Sequence, residues 1–431
     1  MSTHRSGPFV FFCAIALAAL FGARQAVAQT TPPPAPDPSD AFFDDTVVHE
    51  IRLAINSRDW VTLKSNYLAN DYYPCDLKWG TQTVRNVGIR SRGNGSRSGV
   101  KPGLRVDFDR YTSSQKFLGL KSFVLRNNTQ DQTNMHERVA MLFFKRQGML
   151  ASREAHARLY INNAYSGLYT IVEAVDKLFL EKNLGEDSGT LYKYDYPPTD
   201  QPYYLEYKGP DSALYVPLPF KPETNETDPQ PAPLVDMIRT IAETSGALFR
   251  QQMAQFLDLS KFVKHVAVEV FLADSDGFLG DWGMNNFYLY RPTDRNLFTI
   301  LPWDKSEAFK DGPTYEIFRN IDDVAEANRN RLMTRVLADP ELKNLFLDTL
   351  LELARSASEP LVVAPEMTPT DTRGWLERET EREYSQVRDA VLADPEKAYT
   401  NDEFEAAVEA MRVFARQRGD FVKAAVARAR P

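Results

Sequence analysis

The sequence predicts an α+β protein with two lobes and a helical C-terminal part. In its first half, short runs rich in β-branched and aromatic residues alternate with clusters of Gly, Ser and Asn, a pattern typical of strands and turns. Residues 328–354 and 373–427 are instead dominated by helix formers with charged faces. Strands and helices gathered in separate parts of a chain are characteristic of the α+β class.

The elements expected along the chain follow that division. Strands are expected in TVRNVGIRSRG, GLRVDFDR and SFVLRN, and a helix over about 133–147 that ends at Gly148. A hairpin is expected in ARLYINNAYSGLYTIVEAV, with its turn in NNAYSG. Residues 196–233, rich in Pro, Asp and Tyr, predict a long insert or lid, and further helices are expected over 234–255 and 259–272.

The N-terminus predicts export. An apolar run over Phe9–Ala23 follows a short basic segment and precedes a small-x-small cleavage site that ends at Ala28. We therefore expect a secreted or periplasmic protein with no stable membrane anchor after cleavage. The expected division is a signal peptide (1–28), a proline-rich tether (29–40) and a domain (41–431) with an N-lobe (about 41–195), the insert (about 196–233) and a C-lobe (about 234–431).

Charge and cysteine content narrow the function classes. The formal net charge is −8, from 51 Lys and Arg against 59 Asp and Glu, so the partners we expect include no nucleic acid and no anionic membrane surface. One of the two cysteines, Cys13, lies in the predicted signal peptide. Cys75 then has no intramolecular disulfide partner, and we expect it to be a buried small residue.

A second hairpin is predicted to gather polar side chains. The alternating runs NFYLY and LFTILPWD flank RPTDRN, whose composition is typical of a turn. If the strands pair about a turn centred near Asp294, Asn286 faces roughly Asp304. Amide and carboxylate oxygens that converge in this way suit Mg²⁺ or Mn²⁺ better than zinc.

The residues before this hairpin have the spacing of a kinase catalytic loop. Asp281 and Asn286 form D-x-x-x-x-N, in which the aspartate accepts the substrate hydroxyl proton and the asparagine holds a metal. Asp304 then takes the place of the metal-binding aspartate that follows. The competing interpretation is structural: Asn285 caps a turn, Asp281 is a solvated loop charge and Trp303 belongs to the core.

The N-terminal half offers groups for binding phosphate. RSRGNGSRSGVKPG places Gly93, Gly95 and Gly99 in a turn between strands, where backbone N–H groups can approach an anion. Phosphoryl transfer depends mostly on positioning and on charge neutralisation. The charged candidates in this half are Arg90, Arg92 and Lys101 around the turn, Glu137 on the helix, Glu173 at the end of the hairpin and Lys193 in LYK.

Together these segments resemble the CotH kinases, the family named after the bacterial spore coat protein H. The resemblance covers roughly 47–422 and extends weakly into VFARQRGDFV. The segments that carry it are VGIRSRGNGS with KPGLRVDF, LRNNTQDQTNMHERVA, ARLYINNAYSGLYTIVEAVDKLFL, GTLYK, DGFLGDWGMNNFYLY and FTILPWD.

The resemblance implies a two-lobed atypical protein-kinase-like fold that uses ATP with Mg²⁺ or Mn²⁺ to phosphorylate Ser or Thr of a protein substrate. It implies that Asp281 is the catalytic aspartate and that Asn286 and Asp304 are metal ligands. Asp276 is the competing catalytic candidate, because SDGF also matches an Asp-Gly-aromatic element of the family. Lys193 and the lysine of KPG, Lys101, both fit the family's phosphate-contacting position.

One departure from the family pattern bears on activity. Where the family commonly has Trp-Asp-x-Asp, this chain has Trp-Asp followed by Lys305 and Ser306. Ser306 replaces the second carboxylate, and Lys305 adds a positive charge beside the first. The alternative function is therefore a non-catalytic surface binding or adhesion module on a degenerate kinase-like scaffold. A third interpretation, nucleotidyl transfer, uses the same residues.

Overall fold

The first half of the chain closes into a seven-stranded barrel in the computed structural model, which describes residues 37–195, 202–362 and 371–430. Its strands are β1 (His49–Ile55), β2 (Tyr73–Trp79), β3 (Gln82–Ser91), β4 (Leu104–Asp107), β5 (Ser122–Arg126), β6 (Glu154–Ile161) and β7 (Ala164–Glu173). They neighbour one another in the order β1-β2-β3-β4-β5-β7-β6. The ring closes where β6 pairs in parallel with β1, whereas the other pairs are antiparallel.

Alternation of side chains gives the barrel its core. β1 buries Ile51, Leu53 and Ile55, and the residues between them are exposed or half-buried. Phe42, just before β1, is fully buried and packs edge-on against Trp79. Because burying one such side chain stabilises a fold by about 1.5–3 kcal/mol, this interior is a major source of stability for a chain whose Cys75, in β2, is a free thiol. The burial predicted for Cys75 is confirmed.

The hairpin expected after α2 (His136–Arg146) is present and has a tighter turn than expected. β6 and β7 pair as far as Ile161 with Ala164, so only Asn162 and Asn163 form the turn. Both have positive φ, 49° and 70°, a conformation that asparagine tolerates and that a two-residue turn of this type requires.

A second, four-stranded sheet has the order β11-β10-β8-β9. Its strands are β8 (Thr190–Tyr194), β9 (Phe220–Pro222), β10 (Phe287–Arg291) and β11 (Thr299–Pro302). β10 and β11 are the predicted second hairpin. β9 comes from the segment expected to be an insert or lid, so part of that segment is an edge strand, while residues 196–201 lie outside the described residues.

Helices make up most of the second half. Three predicted helical segments each contain two helices. Extended backbone at Thr244 and Ser245 divides 234–255, Asp339 separates the two helices in 328–354, and a break that contains Pro395, which cannot donate a backbone hydrogen bond, divides 373–427. Besides α2, the helices are α1 (Ser57–Ser65), α3 (Lys177–Leu184), α4 (Ala232–Glu243), α5 (Gly246–Met253), α6 (Leu259–Phe271), α7 (Arg331–Ala338), α8 (Pro340–Ala357), α9 (Trp375–Leu392) and α10 (Asn401–Ala429).

Buried ion pairs join the barrel half to the C-terminal helices. Lys101 Nζ lies 2.7 Å from Asp394 Oδ2, just after α9. On α9 itself, the Glu383 carboxylate accepts two hydrogen bonds of 3.0 Å from Arg138 Nε, and its Oε2 lies 2.7 Å from His156 Nε2. Buried ion pairs of this kind hold two parts of a fold in one arrangement, because moving the two parts away from each other would leave buried charges unpaired.

The prediction of an α+β protein is confirmed, whereas the two-lobed kinase-like arrangement stays a prediction. The predicted signal peptide and residues 29–36 of the tether lie outside the described residues. Among the helices that the structure describes, none combines the length and apolar character needed to cross a bilayer.

Candidate active site

The β10–β11 hairpin brings two of the predicted metal ligands to one end. The paired residues Phe287 and Pro302 place the turn centre as predicted, and Trp303 N–H donates to the carbonyl of Asn286 at 3.1 Å. Asp304 follows one residue later. Asn286 and Asp304 both have positive φ, 57° and 49°, so the chain turns sharply at the end of each strand.

A cleft of about 760 Å³ lies between this hairpin and one end of the barrel. Its volume falls within the range of small-molecule binding sites. The residues that line it include Arg90, Arg92, Gly93, Asn94, Gly95, Ser96, Arg97, Arg105, Lys193, Asp276, Asn285, Asn286, Tyr288, Trp303, Asp304 and Ser306.

Asp276 is the carboxylate that two asparagine side chains orient in the cleft. Asn285 Nδ2 donates to its Oδ1 at 2.9 Å, and Asn286 Nδ2 donates to its Oδ2 at 2.8 Å. Burial raises the pKa of Asp276 to about 6, although the hydrogen bond from Asn285 lowers it. A carboxylate with this pKa is ionised at neutral pH and is basic enough to accept a proton.

Asp281 does not line the cleft. Arg319 Nη2 donates to its Oδ2 at 3.0 Å, and Asn320 Nδ2 donates to its Oδ1 at 2.7 Å, on an exposed turn. This turn is closed by the bridge between Gly280 and Gly283, which carries Asp281 away from Asn286. The structure therefore brings Asp276, and not Asp281, together with the metal-ligand candidates.

Asp304 has a partner that the sequence patterns did not reveal. Arg126, the last residue of β5, lies with Nη1 2.6 Å from Asp304 Oδ1 and with Nε 2.8 Å from Glu137 Oε2 on α2. Burial would raise the pKa of Asp304, but Arg126 lowers it to about 2. The available signal was a lone arginine in the buried strand SFVLR.

Two predicted phosphate-binding cations line the cleft and have no carboxylate partner. Within the described ranges, neither Arg92 nor Lys193 makes an ion pair. The guanidinium of Arg92 lies 5.7 Å from the Trp303 ring centroid, and that of Arg126 lies 5.8 Å from it. Burial, followed by the charge of Arg126, lowers the pKa of Arg92 to about 10, and burial lowers the pKa of Lys193. With this pKa, Arg92 stays cationic at neutral pH.

Two other predicted binding residues lie elsewhere. Lys101 is sealed in its ion pair with Asp394 and does not line the cleft. Glu173 accepts a hydrogen bond of 3.0 Å from Arg153 Nε and does not line it either. These two side chains serve contacts within the fold.

The glycine turn forms one wall of the cleft, and hydrogen bonds from the Arg97 side chain hold it in place. Arg97 Nε donates to the carbonyl of Gly93 at 2.8 Å, and its Nη1 donates to that of Leu68 at 2.8 Å. Gly93 has φ of +117°, and a Cβ there would lie 2.5 Å from Ser96 Oγ. Only glycine fits this position, so backbone groups of the turn can come close to a ligand.

The departure from Trp-Asp-x-Asp changes the site less than the sequence implied. Ser306 Oγ donates to Asp304 Oδ1 at 2.9 Å and so supports the remaining aspartate. Lys305 points into the core, where Glu269 and Asp274 neutralise it. The positive charge expected beside the metal position is therefore balanced.

The oxygen donors fit a cation that also binds phosphate. Asn286 and Asp304 offer one amide and one carboxylate, and the described residues contain no cluster of three or more His, Cys, Asp or Glu side chains arranged to hold a metal. Mg²⁺ is commonly bound by one or two carboxylates together with substrate phosphates. Asn286 and Asp304 therefore offer oxygen donors of the kind that Mg²⁺ prefers.

Comparisons with known proteins bear on the family of this chain. The family model described as "CotH kinase protein" matches residues 89–422. The chain is 23% identical over 375 residues to inner spore coat protein H of Bacillus subtilis, covering 86% of this chain and 96% of that protein. The crystal structure of the Helicobacter pylori proinflammatory kinase CtkA aligns with 79% of this chain and 96% of its own at 10% identity, with a TM-score of 0.27, too low to indicate a shared fold.

Proposed function

Because this chain belongs to the CotH kinase family, we propose that it is an exported ATP- and divalent-metal-dependent kinase that phosphorylates Ser or Thr of secreted or surface proteins. The observation that carries the proposal is one cleft lined by an oriented carboxylate, two oxygen donors and two unpaired cations. In this proposal the barrel half and the helical half are the lobes of a two-lobed kinase-like fold, with the cleft between them.

Asp276 is the proposed general base. Its carboxylate accepts the proton of the acceptor hydroxyl as that oxygen attacks the terminal phosphorus of ATP, whose bond to the bridging oxygen breaks so that ADP leaves. The amides of Asn285 and Asn286 fix the orientation of this carboxylate. General-base catalysis of this kind contributes about 10²–10⁴-fold to rate. Asp281, held by Arg319 on the exposed turn, has no such access in this proposal.

Arg92, Lys193 and the glycine turn are the proposed phosphate-binding groups. Lys193 is preferred to Lys101 because Lys101 is already neutralised by Asp394. Asn286 and Asp304 would hold Mg²⁺ or Mn²⁺, which neutralises charge on the phosphates when bound. Glu173 has no proposed role in binding.

Export is supported by the N-terminus and by a relative. The sequence predicts a signal peptide over 1–28, and the relative from Bacillus subtilis is by name a spore coat protein. A secreted or periplasmic location is therefore proposed.

A non-catalytic binding module is the second candidate. It is favoured by two observations: Ser306 replaces a carboxylate, and Arg126 occupies the remaining one. The same geometry would then hold a partner without transferring phosphate.

The test is incubation of the mature protein with γ-labelled ATP and Mn²⁺ or Mg²⁺, beside an Asp304→Ala variant. Label on the protein or on a generic Ser/Thr acceptor, absent with Asp304→Ala, is the expected result. No label, together with no thermal shift on adding metal and ATP, would instead support the binding module. The mass added to the acceptor distinguishes phosphoryl from nucleotidyl transfer.

A further inference from the structure

Lys305 is a fully buried cation directly behind the cleft. Its Nζ lies 2.5 Å from Glu269 Oε1 and 2.9 Å from Asp274 Oδ2, and it donates to the carbonyl of Asn286 at 3.2 Å. Two of the three N–H donors of the ammonium go to Glu269 and to the Asn286 carbonyl, and Asp274 completes its surroundings as an ion-pair partner. These three partners come from the end of α6, the loop that follows it and the start of β10.

The two carboxylates also hold the loop that carries Asp276. Glu269 Oε2 accepts the N–H of Phe278 at 2.8 Å, and Asp274 Oδ1 accepts the N–H of Asp276 at 3.2 Å. A Cβ at Gly277 would lie 2.8 Å from both Asp274 Oδ2 and Glu269 Oε2. The loop is therefore wrapped closely around the pair of carboxylates that Lys305 bridges.

Stability alone does not account for a lysine at this position. Buried ion pairs are often no more stabilising than apolar side chains of similar volume, because both charges must leave water. A buried ammonium also constrains geometry, because each group that accepts one of its hydrogen bonds is held at hydrogen-bond distance. The acceptors here belong to the segments that carry Asp276 and Asn286, and Asp304 immediately precedes Lys305 in the chain.

We propose that Lys305 is a positioning residue for the transfer reaction, which locks the segments carrying Asp276, Asn286 and Asp304 into one arrangement through Glu269 and Asp274. The inference rests on the proposed kinase function. Lys305 is fully buried and does not line the cleft, so its loss should lower turnover and leave nucleotide binding nearly unchanged.

The test compares Lys305→Met with Lys310→Met. Lys310 is a matched control: it lies in the same segment and pairs with Glu307 at 2.6 Å, but its side chain is exposed. Because Lys305→Met leaves two buried carboxylates unpaired and could prevent folding, a second variant, Lys305→Met with Glu269→Gln, removes one negative charge as well.

Two measurements are made on each folded variant. Backbone hydrogen exchange in 273–287 should become at least about tenfold faster than in wild type and in Lys310→Met, with the barrel strands unchanged. The kcat should fall at least about tenfold while the KM for ATP stays within about threefold.

Each outcome decides the proposal. Unchanged exchange in 273–287, exchange that rises equally across the whole chain, or faster local exchange with an unchanged kcat would overturn it. If the wild-type protein transfers no phosphate, the proposed kinase function fails, and the exchange measurement still decides whether Lys305 fixes the loop.

Discussion

Nη1 of Arg126, at the end of β5, lies 2.6 Å from Asp304 Oδ1, just beyond β11. This contact ties the barrel to the second sheet at the wall of the cleft, and Glu137 shares the same guanidinium. A metal bound at Asp304 would therefore share its carboxylate ligand with a fixed internal cation. The charge on Asp304 is balanced before any ligand arrives.

Shortening this bridge should destabilise the fold. A lysine at position 126 keeps the charge but cannot reach Asp304 and Glu137 with separate N–H groups, so Arg126→Lys should lower the free energy of unfolding by about 1.5–3 kcal/mol. Denaturant unfolding measures this. The control is Arg52→Lys, at a half-exposed pair with Glu50, which should change it by less than about 1 kcal/mol. Equal losses in both variants would contradict a special role for Arg126.

Matched substitutions should distinguish the two catalytic candidates. Asp276→Asn removes the proposed base and should lower kcat by about 10²–10⁴-fold, while Asp281→Asn, outside the cleft, should leave it within about threefold. Initial rates with labelled ATP measure both. The reverse order of effects would reassign the base to Asp281.

The rate should depend on pH through Asp276. Its pKa is raised to about 6, so the carboxylate is protonated and inactive below that value and ionised above it. The kcat should therefore rise as pH increases through about 6 and then level off. A pH–rate profile tests this, and a profile that is flat between pH 5 and pH 8 would argue against a titrating base.

Substitution of the two candidate lysines should have different effects, one on nucleotide binding and the other on the stability of the fold. Lys193→Met should raise the KM for ATP about tenfold or more with little change in thermal stability, because a half-buried cation without an ion pair is lost from the cleft. Lys101→Met leaves Asp394 buried and unpaired, so it should cost about 3–5 kcal/mol of unfolding free energy. Melting temperatures and nucleotide titrations separate the two.

Acid should destabilise the fold through buried histidines. Burial lowers the pKa of His156 and of His265 below the ordinary value of about 6.5. The unfolded chain then binds more protons than the folded one as pH falls below 6.5, so stability present above that pH is lost on acidification. Unfolding is measured at several pH values between 5 and 8, and His156→Gln should make stability fall less steeply on acidification. The comparison with this variant is needed because carboxylates with a raised pKa, such as Asp276, change stability with pH in the opposite direction.

Some of the site was predictable because it depends on local alternation. The two-residue period of NFYLY and FTILP set the register of the hairpin, so Asn286 and Asp304 were correctly brought to one end. Asp281 was misplaced because D-x-x-x-x-N records a distance along the chain and not the turn between Gly280 and Gly283. Asp276, given as the competing candidate, lies in the cleft.

Other features depend on partners far along the chain. Lys101 matched a phosphate-binding pattern, but its carboxylate partner is 293 residues away, where no local pattern could indicate it. Arg126 and Lys305 were likewise charges within apolar segments, and the groups that face them come from other elements. Which charge is free for a ligand is decided by tertiary pairing, which a single sequence does not display.

The long-range pairs also bear on when the protein can fold. The barrel strands are complete by Glu173, yet Lys101 meets its carboxylate only at Asp394, and Arg138, which also contacts Asp45, meets Glu383 on α9. During synthesis the ribosome must add some two hundred more residues before those carboxylates emerge. Until then the buried Lys101 has no carboxylate partner, so we expect the barrel alone to be less stable than the finished domain, which would favour passage through a membrane under the proposed export.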